Sequence, residues 1–212
     1  MFIELVDSLR CPHPHEESWL VAAADRMDGR NIMEGVLGCP VCKAQFRITQ
    51  GVADLRVTPG PRRAAAPAVA RDPEQAMRLA AFLHLSDGRG YAALVGAWTA
   101  HAPDIQTVAE THLLLVNPPA GLTIAAGTSG LLADARLPVA AGSARGLAVD
   151  QDVGADWLAS ALAGVQAGGR VVAPATMPLP SGVTELARDA AVWVAERAPE
   201  PSGLVSLGRG GR

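Results

Sequence analysis

Surplus charge is scarce in this sequence. Eighteen Lys and Arg stand against 21 Asp and Glu, giving a net charge of -3. Broad attraction to phosphate backbones is therefore not expected, and nucleic acid stays open only through a local basic patch. Aromatic residues are 4% of the chain, so Leu, Val and Ala must build the core. With 49% hydrophobic and 18% charged residues, global disorder is excluded. The charge-free stretch 112–132 contains Pro118, Pro119 and three glycines, which rules out one continuous lipid-facing helix, and no membrane association is expected. Glu4 and Asp7 stand where a signal peptide would carry basic residues and an apolar run. Three cysteines are too few for a disulfide framework, so a reducing, cytoplasmic setting is expected.

Those three cysteines are the most informative residues present. Cys11-Pro12-His13-Pro14-His15 and Cys39-Pro40-Val41-Cys42 gather every thiol into the first fifth of the chain. A C-x-x-C pair, with a third cysteine and a nearby histidine, matches a tetrahedral Cys₃His zinc site. His15 follows Cys11 at C-x₃-H and is the preferred fourth ligand. His13, at C-x-H, is the tighter alternative. Four protein ligands close the site, which points to a structural metal.

Along the chain, Asp28-Gly29 between apolar runs predicts a hairpin, its second arm leading into Cys39. Strands at 45–49 and 52–55 complete a β-rich module over 1–56, a size that needs a staple. Residues 57–72 are rich in Pro and Ala and read as a linker containing Arg62, Arg63 and Arg71. From 73 to 212, short apolar runs at 91–95, 112–116, 122–126, 144–149 and 170–174 alternate with expected helices at 73–85, 98–110, 156–167 and 183–197. That alternation predicts a mostly parallel α/β sheet. A last strand is expected at 203–207. Asp150 ends a strand, where ligands gather in open sheets. His84, His101 and His112 lie far apart without an evident partner.

The first module, from Leu9-Arg10-Cys11-Pro12 through Cys39-Pro40-Val41-Cys42 to Gly51-Val52-Ala53-Asp54-Leu55, resembles the small zinc-ribbon proteins that partner tRNA, rRNA and protein methyltransferases. In that resemblance Pro14 stands where a second cysteine is usual, so a histidine takes its place. The second part resembles a class I S-adenosylmethionine-dependent methyltransferase at 133–143 and at Gln166-Ala167-Gly168-Gly169-Arg170-Val171-Val172. The resemblance implies a Rossmann-like fold with flanking helices and a cofactor on Gly96, Asn117 and Asp134. It also implies a degenerate site. Gly96-Ala97-Trp98 replaces a glycine-rich loop, and Asn117 replaces the acid that would hold ribose hydroxyls. The expected role is a non-catalytic one, holding a protein partner such as a methyltransferase or a nucleoprotein. An active methyltransferase and a nucleic-acid adaptor are the alternatives. The terminal Arg-Gly-Gly unit at 208–212 resembles RNA-binding tails.

Overall fold

A computed structural model describes residues 1–58, 60, 72–86 and 88–199. Most of the linker, the 203–207 strand and the Arg-Gly-Gly unit fall outside the described residues. The described residues open with a 3₁₀ turn at Ile3–Ser8, then β1 (Val21–Asp28) and β2 (Asn31–Gly38). Gly29 supplies the positive φ (+55°) that the hairpin turn between them needs. β3 (Gln45–Thr49) and β4 (Val52–Asp54) follow, so the predicted hairpin and both short strands are present.

From residue 72 onward come α1 (Pro73–Phe82), β5 (Tyr91–Val95), α2 (Ala102–Ile105), β6 (His112–Val116), β7 (Thr128–Leu132) and β8 (Ala144–Ala148). After these come α3 (Ala155–Ala161), β9 (Val165–Pro174), β10 (Val183–Arg188) and β11 (Val192–Arg197). Asp72 starts α1 by accepting from the Gln75 N–H at 3.1 Å, with Pro73 in the first turn.

All eleven strands form one sheet in the order β1-β2-β3-β4-β7-β6-β5-β8-β9-β11-β10. β4 pairs parallel with β7, matching Val52, Ala53 and Asp54 to Gly130, Leu131 and Leu132. Strands from the two ends of the sequence thus share one sheet. Gly130 allows this approach: a Cβ there would sit 2.7 Å from Val52 Cγ2. β7, β6, β5, β8 and β9 run parallel, whereas the β1–β4 and β9-β11-β10 pairings are antiparallel. β5 is buried along its whole length, and separate apolar clusters cover the two faces of the sheet.

The expected Rossmann-like α/β fold with flanking helices is overturned. The molecule is a large mixed sheet whose three described α-helices span only ten, four and seven residues. The connections explain why. Pro118, Pro119 and Gly121 interrupt the chain after β6, and Pro178, Pro180 and Gly182 do so after β9, so neither segment can sustain a helix. The expected helix at 98–110 is a 3₁₀ turn at Gly96–His101 followed by α2. The expected helix at 183–197 is the β10–β11 hairpin, and the strand sought at 122–126 lies at 128–132. No helix among the described residues is long and apolar enough to cross a membrane.

Candidate functional site

Two loops bring the cysteines together. Cys39 ends the β2 arm and begins a tight knuckle: its N–H donates to Ala44 O, and the Lys43 N–H returns to Cys39 O at 3.0 Å. Lys43 adopts φ +61° to complete that turn. The first loop is fixed at its base by the Cys11 N–H, which donates to Ser18 O at 3.0 Å. It is held from the far half of the chain by Arg136, whose guanidinium donates to Pro12 O at 2.8 Å.

One ligand atom each from Cys11, His15, Cys39 and Cys42 lies within 4.8 Å of all the others. Cys11 Sγ and Cys42 Sγ are 3.7 Å apart, and Cys39 Sγ lies 3.5 Å from His15 Nε2. A zinc tetrahedron with ordinary Zn–S and Zn–N bonds has edges of about 3.5–3.8 Å. The four groups are close enough to hold a metal ion, and the donor set fits one. His15 Nδ1 lies at Glu16 O, and an N–H there leaves the Nε2 lone pair facing the sulfurs. His13 also approaches, with Nδ1 3.5 Å from Cys42 Sγ and its ring edge-on to Phe46.

The electrostatics of the clustered thiols favour a cation. Burial pushes the Cys11 thiol up to about 12, helped by its sulfur neighbours. Burial also opposes ionisation of Cys39, yet the N–H groups of Cys42 and Val41 and the adjacent thiols bring it down to about 6. One thiolate therefore forces a neighbour to keep its proton, and a divalent ion removes that conflict.

The residues expected to hold a cofactor lie at the carboxyl ends of the parallel strands. Gly96 (φ +64°) and Asn117 (φ +52°) line a cavity of 270 Å³ together with Arg56, Ala133 and Asp150. Their polar groups are already engaged. The Ala97 N–H donates to Asp150 Oδ2 at 2.7 Å, and a Cβ on Gly96 would run into that carboxylate. The Asn117 amide clasps Ala133 both ways, donating to its carbonyl at 3.0 Å and accepting from its N–H at 2.9 Å. Asp134 is exposed and accepts from the Val57 N–H at 2.9 Å.

Sequence reasoning missed Arg56. It lies just past β4 and reaches the cavity while gripping Asp54 through two hydrogen bonds of 2.8 and 2.6 Å. An Arg one residue after an apolar-acidic-apolar strand was the available signal. The space beside Trp98 is open and forms a second cleft. The remaining histidines are dispersed: His112 bonds Ser129 and stacks on Phe2, His101 lines the cleft beside Trp98, and His84 is exposed.

No protein-family model matches the chain, and a search of curated proteins finds no match. Among solved structures, the chain is similar to the crystal structure of a protein from Corynebacterium glutamicum. The two share 15% identity at a TM-score of 0.42, over 64% of this chain and 85% of that one. A likeness that loose assigns neither fold nor activity.

Proposed function

We propose that this chain is a binding protein stapled by a structural zinc ion and that it transfers no methyl group. The observation that carries the reading is the closed donor set: three sulfurs and one imidazole nitrogen lie within 4.8 Å of one another, with one sulfur–sulfur and one sulfur–nitrogen distance at tetrahedral edge lengths. Thiolate-rich tetrahedral sites favour zinc, and four protein ligands leave no open position for substrate. The zinc serves residues 1–56, with His15 as the fourth ligand and His13 beside it. Residues 57–72 link this unit to 73–212. Three free cysteines suit a reducing compartment, and we place the protein in the cytoplasm.

The engagement of Gly96, Asn117 and Asp134 in bonds within the chain supports a non-catalytic role. A protein partner is the proposed target, and its footing is the exposed apolar set of Trp19, Val21, Met27 and Val41 on the metal-bearing part. Metal analysis of the reduced protein should give one zinc per chain, absent in Cys39→Ser and retained in His13→Ala. A fully reduced, folded sample without metal would sink the zinc reading. Calorimetric titration with S-adenosylmethionine should give no binding, and micromolar binding would overturn the non-catalytic role.

A further inference from the structure

One buried carboxylate separates the two clefts at the strand ends. Asp150 follows β8 and is 7% exposed. Its Oδ2 accepts from the Ala97 N–H, and its Oδ1 accepts from the Asp152 N–H at 3.1 Å. Those bonds use about half of a carboxylate's acceptor sites. Among the described residues no cation pairs with Asp150, and a buried carboxylate without a counter-charge is costly. On the Gly96 side, the nearby Arg56 is gripped by Asp54.

The other side differs in character. There a cleft of 330 Å³ lies between α1 and the 96–101 turn, with Phe82, Trp98, His101 and Val192 in its walls. That is within the range of small-molecule sites, which begins at about 300 Å³. The Trp98 ring is fixed in place because its Nε1–H donates to Val149 O at 2.9 Å. His101 lies beside it, with ring centroids 5.6 Å apart. His101 is only 5% exposed and makes no hydrogen bond to any described residue. Burial lowers its pKa, against the opposing pull of the Asp104 and Asp72 carboxylates, and a neutral imidazole offers one donor and one acceptor nitrogen. The cleft's own cation, Arg78, is held by Asp189 and lies over the Phe82 ring.

Trp98, His101 and Asp150 line one space, and among the described residues neither the imidazole nor the carboxylate has a charged side chain bonded to it. We propose that this cleft binds a small planar nitrogen cation, an amidinium or a protonated heteroaromatic base. Such a ligand stacks on Trp98, donates to Asp150 and hydrogen-bonds to His101. Stacking supplies a cation–π contact and the carboxylate supplies a charge-assisted bond. The proposal requires neither the zinc nor a reaction, so it stands or falls separately from the function proposed above.

Benzamidine is the probe, titrated into the full chain and followed by NMR at the Trp98 indole N–H and the His101 imidazole. Saturable shifts are expected at both. Benzyl alcohol keeps the ring without the charge and should bind about tenfold or more weakly, as should benzamidine to Asp150→Asn, because a hydrogen bond to a charged group is lost in each case. Absence of saturable shifts up to ~10 mM benzamidine would overturn the proposal. Equal binding of benzyl alcohol to the unaltered protein would overturn it too, whatever the folding of the Asp150 variant.

Discussion

An antiparallel hairpin closes each edge of the sheet, and the two are secured by different means. In β10–β11 the inner strand carries Trp193, fully buried, whose Nε1–H donates to Met177 O at 2.9 Å. Its outer strand, β10, is exposed along nearly its whole length and is tolerated because β11 is anchored so firmly. In β1–β2 the outer strand is as exposed, but the fully buried anchors of the inner one are the smaller Ile32 and Leu37. β2 instead runs straight into Cys39 and its cluster. A thin element with too little apolar surface for a core of its own needs a staple. On the reading proposed above, zinc takes the part at this edge that an indole takes at the other.

The largest expected effect is metal removal. Structural zinc in small peptides carries an apparent ~10–16 kcal/mol of binding. Treating reduced protein with a strong chelator should therefore expose the amides of β1–β3 to hydrogen exchange, while those of β9 and β11 keep their protection. Equal loss in both hairpins would break the comparison and make the sheet one cooperative unit. Trp193→Ala comes next, with a cost of about 3–5 kcal/mol in urea unfolding. It should loosen β10–β11 and leave zinc content unchanged; a cost within error would mean that the indole does not anchor its edge. The smallest is Gly35→Ala, about 1–3 kcal/mol, because a Cβ there runs into the Ala23 carbonyl across β1–β2. An unchanged unfolding midpoint would show that this hairpin has slack to spare.

The parts legible in the sequence were those with local causes. Asp28-Gly29 specifies its turn, and the runs at 91–95 and 112–116 are apolar enough to be strands buried on both faces. The strand expected at 122–126 lies at β7 instead, where Thr128-Ser129-Gly130 offers no apolar run. Only the fold makes it a buried strand: Thr128 Oγ1 donates to Ala125 O, Ser129 Oγ accepts from the Phe2 N–H, and Gly130 admits Val52. The β10–β11 hairpin was misread because Leu186, Ala190, Trp193 and Val194 fall at helical spacing by coincidence. Asp189 decides the matter by accepting from the N–H groups of Ala191 and Val192, which closes a turn no helix could contain. At the strand ends, residue types suited to a cofactor were visible, but their existing bonds were not. Asn117 as an acceptor and donor is readable from sequence, whereas Asn117 already clasping Ala133 is a fact of tertiary structure.

The parallel seam between β4 and β7 is only three residue pairs long. It has the form of strand addition at a sheet edge, the way separate proteins dock through backbone hydrogen bonds. Here both strands belong to one polypeptide, so the covalent tether replaces encounter with a high effective concentration. Contacts elsewhere, such as Arg136 on Pro12 O and the Phe2 N–H on Ser129 Oγ, gain in the same way, so a seam of three residue pairs does not have to hold β4 against β7 unaided.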